Sequence, residues 1–220
     1  MKKNKKYIII TILLLIIAIA YTLIVKNVDV RAIGPEGSKV GLSHINESYR
    51  DLIGYNDIWY KITKYLGVVP FLLVAYYGFI GVLQTIKRKN PLKVDKKILF
   101  LGGFYVLMGM TYIFFEKVII NYRPILEDGQ LEASFPSSHT LLAVCICMTS
   151  LLISEYYIKD EKIKKVLNIG TIILMAVLVI GRLLSGVHWF SDILGGVIIS
   201  LFLVSIYNTA IIIFPDKKKS

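Results

Sequence analysis

The stretch VLNIGTIILMAVLVIGRLLSGVHWFSDILGGVIISLFLVSIYNTAIIIF, residues 166–214, decides the fold. Two apolar runs, Val166 to Leu184 and Ile193 to Phe214, flank a short junction in which Arg182, His188 and Asp192 fall within eleven positions. A helix rises about 1.5 Å per residue and a bilayer core is roughly 30 Å thick, so about 20 apolar residues make one crossing. Each run has about that length. The pattern therefore predicts two membrane helices with three ionisable side chains gathered at the bend between them.

Four more runs lie upstream: Tyr7 to Val25, Leu66 to Ile86, Ile98 to Phe115 and Leu141 to Tyr157. With 55% hydrophobic residues and a mean hydropathy of +0.65, the 220-residue chain is too apolar for an ordinary soluble domain. The expected fold is all-α, a six-transmembrane-helix bundle forming a single integral membrane domain over 1–220, without an internal repeat or a linker to a second domain. Lys2, Lys3, Lys5 and Lys6 before the first run, with Ala18 and Ala20 inside it, resemble a signal peptide. The run continues past those alanines to Val25, so a retained anchor is expected. Cys145 and Cys147 lie two apart in an apolar run, where a helix turns them to different sides, so buried unpaired thiols are expected.

The formal net charge of +11 would point to nucleic acid in a soluble protein, but here its placement matters more than its size. Alternation puts the N-terminus, the 87–97 loop, the 158–165 loop and the C-terminus on one side. Counting Glu155 with them, those segments hold 17 of the 26 Lys and Arg but 5 of the 15 Asp and Glu. The positive-inside rule then predicts cytoplasmic N- and C-termini. The clusters around Lys87, Arg88 and Lys89, around Lys162, Lys164 and Lys165, and at Lys217 to Lys219 read as topology signals, with no nucleic-acid partner and no protein partner implied.

Three segments are left for the outer side: about 26–65, 116–140 and 182–192. The first shows loop signals at Gly34-Pro35 and Gly37-Ser38, then an aromatic and polar stretch around Tyr49 to Tyr60 suited to the interface. Its His44 has no ligand-spaced partner and reads as a solvated loop residue. The other two segments hold Glu116, Lys117, Arg123, Pro124, the run Phe135-Pro136-Ser137-Ser138-His139-Thr140, and the trio at the last bend.

His188 and Asp192 are four residues apart and share a face if helical, so the carboxylate is expected to orient the imidazole and leave its other nitrogen as a nucleophile. His139 supplies a second imidazole for proton transfer. Lys117, Arg123 and Arg182 are cations at the correct depth for an anionic group. Pro136 suits a first helical turn, which would give Ser137, Ser138 and His139 free N–H groups at a helix N-terminus. Pro124 is expected to push Arg123 out of helical geometry and back over the site. A purely structural account has Arg182 and Lys117 snorkelling, Asp192 capping the last helix and His139 merely interfacial. It explains each residue singly but not their convergence on one membrane face.

These residues resemble the type 2 phosphatidic acid phosphatases, which share a fold with vanadium-dependent haloperoxidases and bacterial acid phosphatases. Arg182, five residues, His188, three residues and Asp192 reproduce the family's third motif. Pro136-Ser137-Ser138-His139 stands for Pro-Ser-Gly-His, with Ser138 replacing glycine. Arg123-Pro124 matches the end of the first motif, but Glu116 occupies the lysine position and Lys117 stands one residue late, a rotation of about 100° on a helix. The motif region runs from Glu116 to Asp192. The resemblance implies a membrane lipid phosphatase that works through a phosphohistidine on His188, with Asp192 as its partner and His139 as general acid. Lys117, Arg123, Ser137, Ser138 and Arg182 would bind the phosphate of a lipid substrate in the bilayer, with no metal or other cofactor. The expected location is the cell membrane, multi-pass, with the site at the extracytoplasmic face. An isoprenoid diphosphate such as undecaprenyl diphosphate is the first substrate expectation, then phosphatidylglycerol phosphate or phosphatidic acid. A lipid phosphotransferase, an inactive lipid-binding homologue and a small transporter are the competing readings; transport calls for charges near the bilayer centre, and here they sit at span ends.

Overall fold

A computed structural model describes residues 2–216; the basic run Lys217 to Lys219 lies outside them. Eight α-helices follow in order: α1 Lys2–Asn27, α2 Ser43–Ile53, α3 Asp57–Leu66, α4 Pro70–Arg88, α5 Lys96–Lys117, α6 Ser138–Tyr157, α7 Glu161–Ser185 and α8 Phe190–Ile213. Among the described residues β-structure is limited to isolated bridges. Six helical segments are long and apolar enough to cross a membrane, and each contains one of the six runs read from the sequence. The second of these segments covers Asp57–Arg88 and is bent: α3 ends at Gly67, a short turn follows, and Pro70, which has no N–H to give, opens α4. The expected run from Leu66 to Ile86 lies within this segment, and α4 makes up most of it.

The chain is a multi-pass membrane protein built around α6, which packs against α8, α7, α4 and α5. Leu141, Cys145, Ile146 and Ile153 are fully enclosed, and Cys147 is buried too, both thiols being free. Outward faces of α1, α4, α5 and α7 remain apolar, as lipid contact demands.

The two ends of the bundle differ in chemistry. At one end the start of α1 meets the end of α8, where Thr11 and Thr209 lie 3.0 Å apart. Asp95 there binds Arg88 at 2.7 Å and accepts from the Tyr157 hydroxyl at 3.0 Å. Lys97 pairs with Asp216 at 2.6 Å. The opposite end receives α2, α3, the α5–α6 connection and the α7–α8 bend.

Two glycines fix that second end. Gly186, at φ +66°, closes α7 in a left-handed turn, and a Cβ on it would stand 1.9 Å from the Gly54 carbonyl oxygen. A Cβ on Gly181 would stand 2.5 Å from the Thr63 side chain, so α3 rests directly on the α7 backbone. The Tyr49 hydroxyl donates to the Leu183 carbonyl at 2.7 Å and seats α2 over the same bend. The 26–65 segment thereby holds the α7–α8 bend in place.

Candidate active site

The α5–α6 connection is an irregular hairpin. Glu127 and Gln130 exchange backbone hydrogen bonds across a turn whose central residues, Asp128 and Gly129, both have positive φ. Further back the Arg123 amide donates to the Glu132 carbonyl at 3.0 Å, and the Ser134 amide to that of Asn121 at 2.9 Å. Pairing in this register turns Arg123, Glu127, Glu132 and Ser134 toward the helix ends.

His188, in the α7–α8 bend, and Asp192, in the first turn of α8, are both buried. They do not touch directly, contrary to the expectation drawn from their four-residue spacing. The Ser134 hydroxyl stands between them, donating to Asp192 Oδ2 at 2.5 Å and lying 3.0 Å from His188 Nδ1. With its one proton given to the carboxylate, Ser134 accepts from Nδ1–H, so the lone pair of the imidazole is on Nε2. That nitrogen is buried without a hydrogen-bond partner.

Asp192 is held by three further donors: Asn121 Nδ2 at 2.9 Å, the Trp189 amide at 3.1 Å and the Ser191 hydroxyl at 3.3 Å. The bond to the Trp189 amide also caps α8, so the capping and the orienting readings of this residue both describe it. Asn46 extends the network, donating to Ser191 Oγ at 2.9 Å and accepting from the Ser191 amide at 3.0 Å.

Arg182 is buried, with Nε and Nη1 unpaired and its guanidinium 5.4 Å from the Tyr60 ring centroid. Arg123 has an unpaired Nε, while its other nitrogens meet Glu127 and Glu132, the latter at 3.2 Å. His139 Nδ1 is also buried and unpaired. The charges of Arg123 and Arg182 bear on both histidines. Burial first, and then those two cations, hold the His188 imidazole well below its ordinary pKa, which keeps it neutral. Four side chains thus present unsatisfied nitrogens in one charged region, and an anion with several oxygens is the partner such a group can take.

The remaining expected residues are placed differently. Ser137 is buried; its amide is spent on the Asp192 carbonyl at 3.0 Å and its hydroxyl accepts from Thr140 at 3.1 Å. Pro136 precedes the cap of α6 instead of opening its first turn. Ser138 and His139 begin the helix and carry the first-turn N–H groups, while the Ser138 side chain lines a small crevice with Tyr112, Glu116 and Ser134. Lys117 ends α5 exposed and makes no ion pair among the described residues, so it does not join the group.

Sequence reasoning missed Ser134, Asn121, Asn46, Tyr60, Lys64 and Glu127. Asp128-Gly129 was a readable hairpin signal, and Asn121 is a lone amide in the apolar run 118–122. Nothing local marks Ser134 or Asn46. His44 is exposed at the start of α2 and pairs with Asp29 at 2.8 Å. Among the described residues no three His, Cys, Asp or Glu side chains gather as a metal site.

Residues 114–212, the region that carries the site, match the family model of the PAP2 superfamily. A comparison with curated proteins gives no match. Among solved structures, a transmembrane PAP2-type phosphatidylglycerolphosphate phosphatase from Bacillus subtilis aligns with a TM-score of 0.57 at 18% identity, over 90% of this chain and 94% of that one. At that identity the likeness establishes the shared fold.

Proposed function

We propose that the chain is a lipid phosphatase working from the extracytoplasmic leaflet, with an isoprenoid diphosphate as the leading substrate and phosphatidylglycerol phosphate or phosphatidic acid as the alternatives. The observation that carries this reading is the relay Asp192–Ser134–His188, which leaves the Nε2 lone pair buried and unpartnered within reach of the charges of Arg123 and Arg182. Nε2 attacks phosphorus, and the bond from phosphorus to the leaving oxygen breaks. Nδ1–H gains positive character as it does so, and the Asp192 carboxylate answers it through the Ser134 hydroxyl. The guanidinium groups take the added charge on the phosphoryl oxygens, and His139 gives its proton to the leaving oxygen. In the second step water attacks the phosphohistidine, His139 takes the water's proton, and the bond from nitrogen to phosphorus breaks to release inorganic phosphate.

The basic loops at the far end of the bundle support the outward placement of the site. The family match of residues 114–212 and the fold shared with a phosphatidylglycerolphosphate phosphatase support the reaction class. The test is phosphate release from the three lipids by the full chain in proteoliposomes, with substrate added outside and orientation scored by protease access to the 87–97 loop. Release from at least one lipid, by molecules whose 87–97 loop faces the lumen, is expected. No release from any of them overturns the reading.

A further inference from the structure

Helix α3 contributes a cation that none of the motifs contains. Its residues 60, 64 and 67 lie at i, i+4 and i+7 and share one edge of the helix. The ends of that edge are fixed against the site. The Tyr60 ring receives Arg182 at 5.4 Å and its hydroxyl donates to Glu127 at 2.7 Å. At the other end a Cβ on Gly67 would lie 3.3 Å from His139 Cδ2, so the backbone there stands against the imidazole. Lys64 projects between these two anchors, its Nζ 5.4 Å from the Tyr60 ring centroid. Its neighbour Lys61 is tied to Asp57 at 2.7 Å, whereas Lys64 has no ion-pair partner among the described residues. Its charge nonetheless reaches His139 and Glu127.

Depth separates Lys64 from the buried groups of the site. His188 and Arg182 are 2% and 1% exposed, while Lys64 is exposed. The phosphoryl group under attack sits deep, against His188. In the mechanism proposed above His139 protonates the leaving group, and the α3 edge that abuts His139 also carries the exposed Lys64. We propose that Lys64 is a specificity residue that binds a second phosphate carried by the leaving group, so that the site prefers lipids with two phosphates to a lipid with one. The inference rests on the phosphatase reading above and adds the leaving-group half of the site. An isoprenyl diphosphate and phosphatidylglycerol phosphate both offer this chemistry, whereas phosphatidic acid does not.

The experiment compares the wild-type full chain with Lys64→Gln, Lys64→Arg and the control Lys61→Gln on the three lipids in matched mixed micelles. Loss of one charge-assisted contact lowers kcat/KM by about tenfold on a two-phosphate lipid. Lys64→Gln is expected to show that loss on at least one of the two, with phosphatidic acid within about twofold, Lys64→Arg close to wild type, and Lys61→Gln unchanged. Which of the two arms falls identifies the source of the second phosphate. An equal loss on all three lipids, or none on any, overturns the proposal. Binding of methylenediphosphonate and of orthophosphate, followed by thermal shift, tests it without turnover: Lys64→Gln should weaken the first by a similar factor and leave the second alone. A wild type that binds both but hydrolyses nothing would instead defeat the phosphatase reading.

Discussion

The Ser134 hydroxyl separates His188 from Asp192, 2.5 Å from the carboxylate and 3.0 Å from the imidazole. Histidine and acid therefore communicate through a residue from the α5–α6 hairpin, far in sequence from the α7–α8 bend and the start of α8 that carry them. Ser134→Ala removes the acceptor of Nδ1–H and one donor to Asp192. We expect kcat to fall roughly 100-fold with KM changed little, and Ser134→Thr to recover most of the loss, measured by steady-state phosphate release.

His188 also gives the protein a pH signature that does not depend on turnover. Its folded pKa lies below the ordinary value of about 6.5, through burial first and then Arg123 and Arg182. The unfolded chain thus binds the proton more readily. Stability from the neutral imidazole is complete above pH 6.5 and is lost as pH falls toward the depressed folded value. Between pH 7 and pH 5 the melting temperature of the wild type should drop more steeply than that of His188→Gln. Parallel curves would show that His188 is not held neutral.

Glu127 is an anion already seated on Arg123, the cation proposed to bind phosphate. Burial raises its pKa, but the Tyr60 hydrogen bond and the Arg123 charge outweigh it and hold the carboxyl below its ordinary value. Ionised Glu127 then competes with an incoming phosphate for Arg123. Glu127→Gln should tighten inhibition by orthophosphate or vanadate by roughly threefold to tenfold. Weaker inhibition would mean that Glu127 instead orients Arg123 for the substrate.

The placement of cations predicts unequal losses. Arg182→Ala should reduce kcat/KM by at least about 100-fold, as expected for a buried donor aimed at developing charge. Lys117→Ala should remain within about threefold, because the residue is exposed at the end of α5.

The bundle was legible because each crossing writes itself as an apolar run, and the motif residues because ionisable groups are costly at span ends unless used. Arg123, His139, Arg182, His188 and Asp192 lie at the end of the bundle that receives α2 and α3. The contacts between them were less legible. Ser134 and His188 are 54 residues apart in sequence, and Asn46 and Ser191 are 145 apart, so packing decides these pairs and no local period encodes them. The α3–α4 break was visible only as Pro70. Lys117 has the chemistry of the site but lies exposed at the end of α5.

The central claim is that Nε2 of His188 forms a covalent bond to phosphorus. Rapid acid-free quenching of the full chain during turnover, followed by peptide mass spectrometry, tests it most directly. The account predicts an acid-labile, base-stable phosphoryl adduct on the peptide containing His188, absent from His188→Ala and accumulating when His139→Ala slows its hydrolysis. An adduct on any other residue, or full turnover by His188→Ala, would contradict it.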